Sequence, residues 1–284
     1  MQPFDYYRPK DFQEAFQLLT MSDKVVYPFG GGTDFIPMFR DSLWKADAIV
    51  DVKGINGMRD IRETPEGLFV GAAVTMNEIA KSQVVKSQAP LLAQGASVVG
   101  NEQVRNRATI GGNLCTASPC ADTPPPLCAL SALVVLKSKE GERRVPVEEF
   151  FTFVRKTVIK KGELVVGVIV PKHPAGTVGV YEKLSRRKGC DLSLVSVAAL
   201  AKPENGKIVW RIALGAVAPT VIRATDAEAI LNEGYTPEHI QKAAVAAALQ
   251  SKPISDVRAS EAYRKSMVRN ITKRAVEKVV ASLG

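Results

Sequence analysis

The stretch VVYPFGGGTDFIPMF, residues 25–39, decides how the chain is read: three consecutive glycines, then Thr33 and Asp34, stand between two apolar runs. Glycine loses the most backbone freedom on folding. A triplet is therefore kept where a turn needs positive φ, or where something must approach the main chain closely. The flanks give it a place. KVVYPF (24–29) reads as a short buried strand, DFIPMFRDSL (34–43) as a helix and ADAIVDV (46–52) as another strand. Strand, helix and strand in about 30 residues form a βαβ unit, so the first segment is expected to be a small parallel sheet, with the glycines where its first strand ends.

Working outward, Asp11 with Glu14 three residues on reads as a capping box ahead of the apolar stripe Ala15, Phe16, Leu18 and Leu19. MRDIRETPEGLFVGAAV (58–74) reads as two strands about a Pro-Glu-Gly turn, and Thr75 with Glu78 as a second box. A longer helix follows at APLLAQGASVV (89–99). Strands with turn chemistry between them return at ALVVLKSKEGERRVPV (132–147) and GELVVGVIVP (162–171), which makes the middle third an antiparallel sheet with helices on one face. Beyond PKHPAGT (171–177) come VGVYEKL, LSLVSVAALA and, after an Asn-Gly turn, IVWRIALGAVA, a three-stranded meander. Helices are expected at 225–233, 237–251 and 260–282, the last with Val268, Ile271, Ala275, Val279 and Val280 at helical spacing. The class is α+β, in three units: 1–54, 55–175 and 176–284.

Composition excludes more than it selects. With 284 residues, 46% hydrophobic and 24% charged, the chain is an ordinary globular one. No apolar run reaches the ~18 residues of a membrane span, and MQPFDYYRPKDF lacks the basic-then-apolar layout of a signal peptide, so a cytoplasmic location is expected. The net charge of +9 raises the question of nucleic acid, but the basic residues are scattered and have no interleaved aromatics to stack bases. A solvated face or a surface meeting an acidic partner chain fits them better.

A second side-chain-poor stretch, VRNRATIGGNLCTASPCADTPPP (104–126), changes the weight of the first. Thr109, Gly111, Gly112 and Asn113 could offer amides and a hydroxyl to an anion, with Gly30 to Asp34 doing so from the other side. Amide bonds to a charged acceptor contribute about 1.5–3 kcal/mol each, so a handful would hold a diphosphate without arginine. Two ordinary turns are the alternative reading. Neither stretch is a GxGxxG fingerprint or a phosphate loop ending in GK and Ser or Thr. Spacing alone leaves an anion or dinucleotide site open beside that alternative.

FGGGTDFIPMF (29–39), ATIGGNLCTASPCADTPPPLCAL (108–130) and YEKLSRRKGCDLSLVSVAALA (181–201) together resemble the FAD-binding subunit of the molybdenum hydroxylases, which include xanthine dehydrogenase, carbon monoxide dehydrogenase and nicotinate dehydrogenase. The likeness runs from FDYYRPKDFQEAFQLL (4–19) to the closing helices, and the NLCTASP variant points to bacterial xanthine-dehydrogenase-like subunits. It implies a two-part FAD domain of the PCMH, or vanillyl-alcohol-oxidase-like, type, followed by a C-terminal unit like that of the carbon monoxide dehydrogenase flavoprotein. FAD would lie between the first two parts, with the isoalloxazine toward the third. Carried over, the first loop is Tyr27, Pro28, Phe29, Gly30, Gly31, Gly32, Thr33 and Asp34. The second is Thr109, Ile110, Gly111, Gly112 and Asn113. Asp122 falls near the cofactor's sugar and linker hydroxyls, Val165 packs on the flavin, and Lys183 meets its pyrimidine edge. Molybdopterin and 2Fe-2S clusters are implied on a large and a small partner subunit, with NAD as a possible acceptor.

Each residue also has a plainer reading. Lys183 could be a solvent-facing strand lysine, and Asp34 a helix cap. Arg105 and Arg107 either brace the second loop or face a partner. Cys115, Cys120, Cys128 and Cys190 contain no CxxC pair for zinc or a cluster, so buried thiols are expected, with Cys115 near the cofactor. With only His173 and His239, a histidine metal site or triad has little support. The class opposed to a flavoprotein is a non-redox interaction protein whose glycine loops are structural.

Overall fold

The computed structural model describes residues 2–283. Its first sheet is parallel and three-stranded, with Ala48–Asp51 in the centre, Asp5–Tyr7 on one side and Val26–Phe29 on the other. The central strand is buried throughout, as a strand covered on both faces must be. Helix Phe35–Arg40 covers one face, where Phe35, Phe39, Ala46 and Ile49 form a small core joined by Tyr27, Phe29 and Trp44. The strand Asp5–Tyr7 was not expected from the sequence.

The middle sheet is antiparallel, in the order Ile61–Thr64, Gly67–Gly71, Leu164–Pro171, Leu133–Ser138, Gly141–Pro146. Its central strand, LVVGVIVP, loses its alternation because both faces are covered, and a bulge interrupts it between Val165 and Gly167. Helices Met76–Lys81, Gln83–Gln88 and Pro90–Ser97 share its core through Ile79, Val85, Leu91 and Leu92. The box at Thr75 and Glu78 is complete. That at Asp11 is half made: Asp11 accepts from the Glu14 amide at 2.9 Å, but the Glu14 carboxylate takes the Lys10 amide instead.

The C-terminal sheet has four strands rather than the three expected: Val178–Leu184, Val195–Glu204, Lys207–Gly215 and a two-residue Ile222–Arg223. Helices Thr225–Glu233, Pro237–Gln250 and Glu261–Leu283 pack on it around Trp210, Leu231, Val268 and Val279. Arg211 reaches out of this sheet to the carbonyls of Cys128 and Ala129, both at 2.9 Å, and so ties it to the middle unit.

Candidate functional site

The two glycine stretches meet. A Cβ on Gly30 would stand 2.9 Å from Oγ1 of Thr109, and one on Gly31 only 1.9 Å from the carbonyl oxygen of Arg107. Contacts that short leave no room for a side chain, so the glycines are required by the approach of the second stretch. Gly32 has φ +75°, and its Cβ would also strike the Phe29 ring. Among the described residues nothing accepts a hydrogen bond from the amides of Gly30, Gly31, Gly32, Thr33 or Asp34. Five consecutive main-chain donors without partners are uncommon in a partly buried loop, since buried amides are nearly always satisfied. Here they sit at the seam between the first sheet and the middle one.

The second stretch spends its amides differently from the first. Thr109 to Asn113 is the start of a helix, Ile110–Cys115, whose amides are largely taken by the protein itself. Ile110 donates to Val74 O at 3.1 Å, Gly111 to Ala72 O at 2.9 Å, Gly112 to Thr109 Oγ1 at 3.1 Å and Asn113 to Thr109 O at 2.9 Å. A helix start leaves orphan donors, and this one satisfies them from the end of the middle sheet and from its own cap. Gly111 is there because a Cβ would come within 2.8 Å of Ala72 O. Only the Thr109 amide has no acceptor among the described residues, which leaves it and the Thr109 hydroxyl proton as donors on this side.

The other site residues lie on strand Val26–Phe29, at the head of helix Phe35–Arg40 and in the main core. Tyr27 and Phe29 turn into the small aromatic core against Phe35, while Pro28 is exposed. Asp34 stands at the cap position of helix Phe35–Arg40 but makes no cap bond; it accepts from the Thr116 hydroxyl at 3.1 Å. Val165 is 3% exposed and belongs to the main core, so it presents no free side-chain surface. Arg105 does brace its segment, bonding Val99 O at 3.0 Å and Asn77 Oδ1 at 3.2 Å.

Asp122 and Lys183 come together from different units. Asp122 is 5% exposed and gathers the Lys183 ammonium at 2.8 Å, the Tyr181 hydroxyl at 2.8 Å and the Ser193 hydroxyl at 2.9 Å, all from the C-terminal sheet and the loop beside it. Lys183 also donates to Val98 O at 3.0 Å, and is thus a buried, paired cation rather than a solvent-facing lysine. Burial pushes the Asp122 carboxyl above the usual carboxylate range against the pull of Lys183 and the two hydroxyls. Burial and the Asp122 charge push the Tyr181 phenol well above its ordinary value.

Three residues that sequence reasoning missed lie under the glycine loop. Lys53 Nζ donates to Gly30 O at 3.1 Å and to Asp51 Oδ1 at 2.6 Å, and stands 4.7 Å from the centre of the Phe29 ring. Asp51, 6% exposed, also accepts from the Tyr6 hydroxyl and the Lys53 amide. Its burial favours the neutral carboxyl, but the bonds from Lys53 and Tyr6 outweigh that and hold its pKa below the usual range. No local pattern marks them, because Lys53 meets Gly30 only through strand pairing.

A cavity of about 450 Å³ lies elsewhere: an open groove on the middle sheet between Phe12, Phe69, Val166, Lys137 and Arg144, with no residue of either glycine stretch in its lining. Of the cysteines only Cys128 is buried, its thiol pushed up to about 12 by burial; Cys115 and Cys190 are exposed, against the expectation of buried thiols. Among the described residues no group of three or more His, Cys, Asp or Glu side chains could hold a metal, and no helix is long and apolar enough to cross a membrane.

A row of unclaimed amides is chemically suited to accepting anionic oxygens, and Asp34, at the end of that row, accepts the Thr116 hydroxyl. Such a loop belongs to the class of sites that take a phosphorylated ligand on main-chain amides. Residues 2–173 match the family described as the FAD binding domain in molybdopterin dehydrogenase, and residues 180–279 match the CO dehydrogenase flavoprotein C-terminal domain. The chain belongs to this family of FAD-binding subunits of molybdenum hydroxylases, and FAD is its cofactor. It is 33% identical over 274 residues to the carbon monoxide dehydrogenase medium chain of Hydrogenophaga pseudoflava, covering 96% of each. To the xanthine dehydrogenase FAD-binding subunit of Escherichia coli O157:H7 it is 29% identical over 283 residues, covering 98% of this chain and 97% of the relative. A solved structure of the Hydrogenophaga pseudoflava enzyme, described as lacking the Mo-pyranopterin moiety of its molybdenum cofactor, superposes with a TM-score of 0.93 at 35% identity, covering 99% of both chains.

Proposed function

We propose that this chain is the electron-transfer flavoprotein subunit of a xanthine-dehydrogenase-like molybdenum hydroxylase, divided at residues 1–54, 55–175 and 176–284. It works beside a large molybdopterin-binding subunit, where a CH or CH2 group is hydroxylated, and a small 2Fe-2S subunit. FAD, when bound, supplies a carrier that takes up electrons singly from iron–sulfur clusters and gives them up in pairs to an acceptor such as NAD. The observation that carries the reading is the five unpartnered amides of Gly30–Asp34. In it the amides bind the diphosphate, with the Thr109 amide and hydroxyl completing the cradle. Lys183 supplies positive charge at the flavin's pyrimidine edge, and Asp122 holds that ammonium in place.

A carbon monoxide dehydrogenase type of assembly is the second reading, favoured by the 33% identity to a carbon monoxide dehydrogenase medium chain against 29% to a xanthine dehydrogenase subunit. Purification of the tagged chain from its own cells separates the two. A yellow complex with two partners that is reduced by xanthine and oxidised by NAD supports the first; reduction by carbon monoxide with no NAD turnover supports the second. A colourless chain without partners contradicts both.

A further inference from the structure

We propose that Lys53 is a positioning residue for the diphosphate cradle: its ammonium holds the Gly30 carbonyl and thereby fixes the direction of the Gly31 amide, with Asp51 and Tyr6 holding Lys53 in place. This rests on reading Gly30–Asp34 as the cradle. A trans peptide carries its carbonyl and the next N–H on opposite edges of one plane. With Gly30 O drawn onto Lys53 Nζ at 3.1 Å, the Gly31 N–H points away from Lys53, and no acceptor meets it among the described residues. The Arg107 carbonyl lies so close to Gly31 that only a hydrogen fits there. The peptide is thus held at the carbonyl by an ammonium and at the next Cα by backbone.

The ammonium is itself held. Asp51 accepts it at 2.6 Å and is in turn fixed by the Tyr6 hydroxyl and the Lys53 amide, while the Phe29 ring lies against the ammonium at 4.7 Å. Because Asp51 is ionised beside it, the pair carries almost no net charge toward an incoming anion. The contribution of Lys53 is therefore one of direction, and an orienting contribution differs from an attractive one in its response to salt, which screens charges separated by about 8–10 Å at ordinary ionic strength.

The test uses the full chain stripped of flavin and titrated with FAD by fluorescence quenching, at low and high salt, on samples with matching far-ultraviolet dichroism. Lys53→Met, made together with Asp51→Asn so that no unpaired carboxylate is left beneath the loop, is expected to raise the dissociation constant about tenfold, the loss of one charge-assisted hydrogen bond's worth of orientation, with the same ratio to wild type at both salt levels. Lys53→Arg, with Asp51 kept, is expected to regain most of the loss. Wild-type affinity in the double variant would overturn the proposal, as would a ratio that vanishes at high salt, which would mark simple attraction. Should the double variant not fold, Tyr6→Phe takes its place. It keeps the ion pair but loosens Asp51, and a rise of about two- to threefold is expected, with an unchanged constant overturning the proposal. Failure of the wild-type chain to bind FAD would instead sink the cradle reading itself.

Discussion

At the scale of single residues the site depends on what is missing from Gly31. Its substitution by alanine would drive a methyl into the Arg107 carbonyl, so Gly31→Ala is expected to cost about 1–3 kcal/mol of stability by overpacking and to lose flavin. Gly54→Ala, whose Cβ meets nothing within 4 Å, is the matched control and should keep its flavin-to-protein absorbance ratio. Lys183 and Asp122 make a second test. Removing one partner of a buried pair leaves an uncompensated charge, so Lys183→Met should destabilise the chain by about 3–5 kcal/mol in urea unfolding. Adding Asp122→Asn should recover at least part of that loss. The flavin midpoint should move in opposite directions, down for Lys183→Met and up for Asp122→Asn; an unchanged midpoint in both would remove the pair from the flavin's edge.

At the scale of elements, the closing helix Glu261–Leu283 is held at its start by Asp256, which accepts from Arg258 at 2.5 Å and from Arg264 at 2.9 Å. Burial favours protonation of Asp256, but the arginine bonds outweigh it and hold the pKa below its ordinary 3.8. A lowered folded pKa contributes stability that is complete above 3.8 and fades as pH falls through the folded value. The gap in melting temperature between wild type and Asp256→Asn should therefore be widest near neutral pH and close in acid; a gap independent of pH would contradict the pairing. Elements with strong periodicity or a capping signal, such as this helix and Thr75–Lys81, were legible in the sequence. The three-residue strand Asp5–Tyr7 was not, because what holds it, parallel pairing with Ala48–Val50 and side-chain bonds to Lys24 and Asp51, comes from far along the chain. Nor was helix Ile110–Cys115, because paired glycines argue against a helix, and the reason for Gly111 is its contact with Ala72.

At the scale of the whole molecule, the first sheet and the middle one meet at the glycine seam, and the sequence showed which segments supply it but not how their donors are spent. The first glycine stretch was legible as a place for close approach or for a turn with positive φ, and the structure uses it for both. In the second, the helix and the spending of its amides on the joint between units were not legible, and among the described residues of Thr109 to Asn113 only Thr109 keeps a free amide. Lys53, Asp51 and Tyr6 could not be read at all, because sheet pairing alone brings them beneath Gly30. Asp122 was legible only as lying near the cofactor's sugar and linker hydroxyls, and its buried partners on the C-terminal sheet appear only once the units are docked. The most direct test is a crystal structure of the chain loaded with FAD. The diphosphate oxygens are expected within hydrogen-bond distance of the amides of Gly30 to Asp34. A diphosphate bound instead in the groove between Phe12, Phe69 and Arg144, with those amides still bare, would contradict the assignment.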